Sequence, residues 1–430
     1  MRKLAAKLRM LSPLALRDFR LLWTGMVASL LGDGVFLVAV AWQVYQLSND
    51  PAALAAVGIA TALPQVLLLL AGGVVSDRLD RRRVMITADL VRGLAIATIG
   101  ALAIDGALTL TWLIALVAVY GAATAFFGPC FDAIVPGLVP SEQLTEANAL
   151  DQFMRPTALR LAGPALGGAV VAITGPGYGF LIDAATFAVS AVCVGRMTAG
   201  AATRLDPDEQ ITLQAVKIGL RFVRSHVWLW GTFLGATASY LLFLGPTEVL
   251  LPFVVKNDLH AGARALGLVF ASGGVGALLA AALTGQRDMP RRHITWMYVT
   301  WSLATLFVAG YGLAIASWQL ALASFMFNGL EAAGTVWWAT MKGRLVPARL
   351  LGRVSSVDWF VSTALVPLSF AFTAPIAAAY GARATLLAVG LLGSLTTLAP
   401  LLMRGMRDVE HSGIARLAGE PVQPAQLPLQ

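Results

Sequence analysis

Charge is scarce in this chain of 430 residues: Asp, Glu, Lys and Arg make up 13% of it, against 58% hydrophobic residues. Water-soluble domains carry about 25% charged residues, so the chain has too little polar surface to face water on every side. Cysteine is scarcer still. Cys130 and Cys193 are the two present, both in or beside apolar runs, which argues against a disulfide framework. The four histidines, His226, His260, His293 and His411, are scattered without metal-ligand spacing, so no metal centre is expected. No Gly-rich loop ends in Gly-Lys-Ser/Thr, so neither ATP nor another cofactor is expected to power the protein. No catalytic triad or appended soluble domain is visible, and the chain does not read as an enzyme.

Long apolar runs are what the chain has in abundance. A membrane-crossing helix needs about 20 mostly apolar residues. Twelve stretches qualify, near 21–46, 53–75, 84–104, 109–130, 156–174, 177–197, 228–254, 264–285, 294–314, 318–340, 356–379 and 384–403. Such runs cannot form an open sheet in lipid, where every backbone group needs a partner in its own segment or a closed barrel. The expected fold is an all-α membrane protein with twelve transmembrane helices embedded in a lipid bilayer. A net charge of +8 suggests nucleic acid as a partner, but the distribution of the 31 Lys and Arg residues argues against it. Lys256, Arg264 and Arg383 follow odd-numbered spans and Arg92 lies inside the third. The remaining 27 fall at the termini, in loops after even-numbered spans, or at the adjoining span ends. That bias places both termini in the cytoplasm. The basic segment 1–20 precedes an apolar run too long for a signal-peptide core, so the first span is expected to be retained.

The chain also repeats itself. Ala56-Val57-Gly58 corresponds to Ala265-Leu266-Gly267 at a shift of 209 residues, and Arg78, Arg82 and Arg83 then fall on Arg287, Arg291 and Arg292. Leu138-Val139-Pro140 matches Leu345-Val346-Pro347 at a shift of 207, as do Asp151 and Asp358. Six spans have therefore been duplicated. The expected division is a segment 1–20, a six-helix bundle 21–197, a linker 198–227, a second bundle 228–403 and a tail 404–430. Within the linker, Leu213, Val216, Leu220, Phe222 and Val223 alternate with Lys217, Arg221 and Arg224, as in an amphipathic helix lying on the membrane surface.

Between the second and third spans runs Gly72-Gly73-Val74-Val75-Ser76-Asp77-Arg78-Leu79-Asp80-Arg81-Arg82-Arg83. It resembles the loop pattern Gly-x-x-x-Asp-Arg-x-Gly-Arg-Arg of the major facilitator superfamily, with Gly73, Asp77, Arg78, Arg81 and Arg82 in register and Asp80 in place of the second glycine. Arg160-Leu161-Ala162-Gly163-Pro164-Ala165-Leu166-Gly167-Gly168 resembles the antiporter motif of the same superfamily at Gly163, Pro164, Gly167 and Gly168, with Leu159 replacing its leading glycine. Leu31-Gly32-Asp33-Gly34, Ala88-Asp89-Leu90-Val91-Arg92 and Phe126-Phe127-Gly128-Pro129 resemble the bacterial branch that exports drugs and siderophores, macrolide-efflux proteins among them. The resemblance implies two pseudo-symmetric six-helix halves and a bacterial inner-membrane transporter, expected as a monomer, that exports a small organic molecule in exchange for protons. Uptake and lipid movement lack a positive signal. A non-transporting sensor or scaffold would need an added domain that is not seen.

Acids inside the spans are the candidates for coupling. Asp33 is roughly 18 Å deep and Glu331 roughly 20 Å deep at 1.5 Å per residue, close to the middle of a core of about 30 Å. A buried carboxyl favours its neutral form and so can carry a proton, and acids rarely persist in membranes without use. Asp183 and Glu248 are weaker candidates: the first fits a structural hydrogen bond, the second a hydrated site near an outer end. Asp89 and Arg92, three residues apart, share one helix face and fit a structural ion pair or part of a gate. The resemblance implies further gate contacts, Asp77 with the start of the eleventh span near Ser356, and Arg291 with Asp151. Aromatic residues such as Phe36, Trp42, Phe327 and Trp337 beside acids, with no base at comparable depth in the first, fourth, seventh or tenth span, predict a cationic or neutral amphipathic substrate. An anionic siderophore remains the alternative if Arg92 reaches the cavity.

Overall fold

The computed structural model describes residues 11–140, 143–198, 220–287 and 289–412. Among these residues run twelve long helices and no strand. The first six are α1 (Arg17–Leu47), α2 (Pro51–Arg78), α3 (Arg81–Ile104), α4 (Leu110–Leu138), α5 and α6 (Pro176–Gly195). Helix α5 is interrupted: Leu144–Pro156 is α-helical, Thr157–Ala162 is π-helical, and Gly163–Thr174 is α-helical again. The second six are α7 (Val227–Phe253), α8 (Ala263–Gly285), α9 (His293–Leu313), α10 (Ser317–Leu345), α11 in two parts (Ala348–Thr363 and Val366–Tyr380) and α12 (Ala382–Leu398). Ten helical stretches are long and apolar enough to cross a membrane. Helices α9 and α10, of 21 and 29 residues, are not among them; α9 is rich in Trp and Tyr, and α10 carries Asn328, Glu331 and Thr335. They are packed against their neighbours in the second half like the corresponding helices of the first.

Local chemistry sets the helix ends. Asp50 starts α2 by accepting from the Ala52 amide at 2.9 Å, and the Thr109 hydroxyl accepts from the Trp112 amide at the start of α4, each meeting a donor that the first turn leaves free. The turns from α5 to α6 and from α11 to α12 are single glycines, Gly175 and Gly381, at φ +86° and +85°. A side chain is strained in that conformation. These glycines lie 206 residues apart, nearly the shift of the sequence repeat.

The packing repeats as well. In the first half α1 lies on α6, α3 on α6, α2 on α4 and α3 on α4; in the second, α7 lies on α12, α9 on α12, α8 on α10 and α9 on α10. The halves meet through α5 on α8 and α2 on α11, two contacts that the repeat exchanges. An even number of crossings brings the start of α1 and the end of α12 to one face, called here the terminal face. At the opposite, distal face the halves are tied together. Tyr45 donates to the Val249 carbonyl at 2.7 Å, Asn49 and Asn257 pair at 2.7 Å, and Lys256 donates to the Tyr45 carbonyl. Helix α2 packs on Val366–Tyr380, and among the described residues no comparable packing joins it to Ala348–Thr363. The bundle is closed at the distal face and splayed toward the terminal one.

Three helix starts differ from the sequence reading by four residues or more. Helix α1 starts at Arg17 rather than 21, α5 at Leu144 rather than 156, and α11 at Ala348 rather than 356. In each case polar residues occupy the first turns, where a hydropathy reading ends the span but the helix continues. Most of the expected amphipathic linker helix, from 199 to 219, lies outside the described residues.

Candidate functional site

Midway along α1, Asp33 accepts a 2.8 Å hydrogen bond from the Tyr120 hydroxyl of α4. The Tyr120 ring stacks on Phe36 at 5.2 Å and meets Phe187 edge-on, which holds the phenol in place. Gly32, beside Asp33, is pressed against α6 so closely that a methyl there would overlap Asp183 Oδ1 and Thr186 Oγ1. Asp183 is fully buried, and its Oδ2 has no hydrogen-bond partner. On α3, Asp89 pairs with Arg92, both buried, and the Arg92 guanidinium sits 4.4 Å from the Phe127 ring and 4.5 Å from that of Phe187. The charge of Arg92 acts on both Asp33 and Asp183, and that of Arg155 acts on Asp33. Three acids of three helices thus share one intramembrane cluster with an arginine clamped between rings. The sequence reading had treated Asp33 and Asp183 separately and missed Tyr120, because a tyrosine among apolar residues carries no local mark.

The antiporter-like motif packs one helix on two neighbours. A methyl on Gly163 would lie 2.6 Å from Gly34 Cα, one on Gly167 2.9 Å from Val35 Cα, and one on Gly168 2.9 Å from Gly267 Cα. Gly163 and Gly167 therefore seat α5 on α1, while Gly168 seats it on α8 of the other half. Pro164 has no N–H to offer the carbonyl of Arg160 four residues back, and the π-helical stretch Thr157–Ala162 ends just before it. That carbonyl lies against Gly274 of α8, where a methyl would come within 2.6 Å.

Arg160 corrects the expectation of a cavity without bases. Because α5 starts at Leu144, Arg160 lies near the middle of a helix that ends at Thr174. Its exposed side chain crosses between the halves and donates to Asn328 Oδ1 of α10 at 3.1 Å. Its charge also acts on Tyr240 and Glu248, both on α7, which puts it on the cavity side of the bundle. Glu331 acts on the same Tyr240, and accepts from the Thr335 hydroxyl at 3.1 Å. The Glu331 carbonyl receives the Trp301 indole at 3.2 Å. Glu248 is exposed in this cavity wall, while Asp358, whose charge also acts on Tyr240, is engaged by Lys342 at 2.5 Å and the Trp338 indole at 3.0 Å.

In the loop after α2, Asp80 accepts from the amides of Arg82 and Arg83 and caps α3. The acid at that turn thus supplies a side-chain cap that the glycine of the superfamily pattern could not. Arg81 donates to the carbonyls of Ser76 and Ala133, and Arg82 to those of Val194 and Gly195. These are carbonyls at the ends of α2, α4 and α6, which attract cations, so both arginines brace the first half. Arg78 is exposed and Gly73 has open space where a methyl would stand. The side chains of Asp77 and Ser356, on which the expected latch rests, lie outside the described residues. Asp151 pairs with Arg155 at 3.2 Å one turn along α5, while Arg291 is exposed on the terminal face.

Two interlocked six-helix halves, closed at one face and holding ionisable groups between them at mid-membrane, define a secondary transporter of the major facilitator type. A family profile described as "Transmembrane secretion effector" matches residues 9–414, and the chain belongs to that family of the superfamily. It is 27% identical over 411 residues to multidrug efflux pump Tap of Mycobacterium tuberculosis, covering 92% of this chain and 95% of Tap. It is 22% identical to macrolide efflux protein A of Streptococcus pyogenes, over 87% of this chain and 93% of that one. A bacterial homologue of the iron transporter ferroportin, solved in an inward-facing state, shares the fold with TM-score 0.69 at 17% identity, over 90% of this chain and 99% of its own. The chain is a multi-pass membrane transporter and not an enzyme.

Proposed function

We propose that this transporter exports small amphipathic organic molecules across a bacterial inner membrane in exchange for protons. The observation that carries the reading is the Asp33 carboxylate at the midpoint of α1, held by Tyr120 and within electrostatic reach of Asp183, which sits against the neighbouring Gly32. Two acids that feel each other in a low-dielectric interior repel when both are charged, so a proton on one of them relieves the pair. Glu331 and Glu248 face the other half of the cavity and serve as secondary proton or substrate sites. Charge on Asp33 attracts Arg155 of α5, the helix that bridges to α8. Protonation of Asp33 removes that attraction and leaves α5 freer to move with the second half. The antiporter-like glycines Gly163, Gly167 and Gly168 are the surface on which that movement occurs.

The positive-inside bias makes the terminal face cytoplasmic, so the distal closure describes a molecule open to the cytoplasm and ready to load cargo. Asp77, Arg78 and Gly73 on α2, with Arg291 and Asp151 as the mirrored contact between the halves, then form the gate that closes in the other state. Each proton returning to the cytoplasm contributes about 2.3 kcal/mol per 100 mV of membrane potential. The names of Tap and the macrolide efflux protein support efflux as the direction. The test is accumulation of a panel comprising a macrolide, a tetracycline, ethidium and 2-naphthoate in inverted vesicles with an imposed pH gradient. The proposal expects at least one compound to accumulate only when the protein is present, and to be released when nigericin collapses the gradient. Accumulation that ignores the gradient, or none across the panel, would overturn it.

A further inference from the structure

The central cavity contains an exposed guanidinium at mid-membrane whose charge reaches Glu248 but which has no carboxylate within ion-pair distance among the described residues. Arg160 forms no ion pair among the described residues, and its recorded side-chain hydrogen bond, Nη1 to Asn328 Oδ1, engages one of the five N–H donors an arginine carries. Asn328 is itself oriented, since its Nδ2 donates to the Ser324 carbonyl at 2.9 Å and so turns Oδ1 toward Arg160. The backbone beneath is fixed by the approach of the Arg160 carbonyl to Gly274. A rigid stem and a polar support leave the remaining donors aimed at whatever enters the cavity. Arg92 and Arg155, the other intramembrane arginines of this half, are already paired with Asp89 and Asp151.

Beside this group runs an aromatic wall. Tyr240 packs edge-on against Phe243, and Phe243 against Phe327, each at 5.7 Å between ring centres. Phe327 precedes Asn328 on α10, and Arg160 acts on Tyr240. A charge and an apolar surface are thus adjacent on one side of the cavity. An unpaired charge in a membrane interior is costly unless a partner serves it, and arginine's planar fork suits a carboxylate through two parallel hydrogen bonds.

The geometry points to Arg160 as the anchor for an anionic group, a carboxylate on an aromatic or otherwise apolar body, with the body lying on the half-buried Tyr240 and Phe327, which the buried Phe243 backs. This rests on the reading of the cavity as a small-molecule site. It reverses the charge preference that the acids alone suggested. Asn328 is the positioning residue: it holds the guanidinium over the cavity without needing to touch the ligand. Glu331 and Glu248 discourage a second negative charge, so a monoanion is favoured over a polyanion.

The test is direct binding to purified protein in nanodiscs, which needs neither a pH gradient nor turnover. Three probes share one body and differ in charge: 2-naphthoate, its neutral amide 2-naphthamide, and 2-naphthylmethylammonium. At neutral pH the wild type should bind the carboxylate at least about tenfold tighter than the amide, as one charge-assisted pair gives, and the ammonium weakest. Arg160→Gln should bring carboxylate and amide within about twofold of each other, weakening the carboxylate far more than the amide. Arg160→Lys, which keeps the charge, should retain part of the preference and stands in if the Gln variant does not fold. A wild type that binds the carboxylate no better than the amide, or the ammonium best, would overturn the assignment. So would a carboxylate preference that survives Arg160→Gln. These results stand whether or not transport proves to be proton-driven.

Discussion

Substituting Gly267 by alanine should shift this transporter between its two conformations. Gly267 of α8 faces α5 of the other half, where a methyl would fall 2.5 Å from the Pro164 carbonyl oxygen and 2.7 Å from Gly168 Cα. Both are backbone atoms and cannot swing away, so the helices must part by roughly 0.5–1 Å or the contact must be given up. Overpacking of this kind costs about 1–3 kcal/mol. The cost falls on the conformation in which α5 and α8 touch, and so lowers its population against the alternative by about 5- to 150-fold. The distal closure reports that population. Asn49 and Asn257 pair at 2.7 Å across it, so cysteines at these two positions, with Cys130 and Cys193 replaced by alanine, should join readily through a short bismaleimide. In the Gly267→Ala background that yield should fall several-fold. Gly343→Ala, whose methyl meets nothing within 4 Å, is the control and should change nothing. Undiminished cross-linking in a folded Gly267→Ala protein would refute the view that this glycine contact holds the halves together.

Two further substitutions test local energetics. Asp80→Ala removes the acceptor for the Arg82 and Arg83 amides and should cost about 1 kcal/mol, seen as a melting point lower by a few degrees; Asp80→Asn should keep most of it, and equal losses in both would contradict the capping role. Arg92→Gln leaves Asp89 buried without its cation and should cost about 3–5 kcal/mol, read as a collapse in folded yield. Replacing both, as Arg92→Met with Asp89→Leu, should recover yield if the loss comes from the stranded charge, and a double variant as poor as the single would argue otherwise.

The fold was legible because membrane burial leaves a coarse signal. Long apolar runs, the charge bias of the loops and the repeat at 207 to 209 residues were enough to place twelve helices in two halves; the matching glycine turns at Gly175 and Gly381 came into view only in the structure. What the sequence hid were relations between helices. Asp33 and Asp183 are 150 residues apart and meet only because Gly32 allows α1 and α6 to touch. Tyr120 becomes part of the site through one hydrogen bond from α4. Arg160 was concealed for another reason: Glu146, Asp151 and Arg155 make the first turns of α5 polar, so a hydropathy reading begins that span too late and leaves Arg160 near its edge. The clue that would have moved it inward is Gly163-Pro164 four residues on, a packing element that belongs deep in a bundle. Asp80 shows the converse, a departure from the superfamily pattern that is explained once its carboxylate is seen to cap α3.

The central claim, that Asp33 carries the proton that drives export, is tested most directly by comparing driven transport with passive exchange in the same proteoliposomes. Asp33→Asn keeps the shape and can still accept from Tyr120, but cannot take up and release a proton at physiological pH. The account predicts that this variant exchanges labelled for unlabelled substrate across the membrane at equilibrium, yet accumulates none when a pH gradient is imposed, whereas the wild type does both. Gradient-driven accumulation by Asp33→Asn at the wild-type level would contradict it.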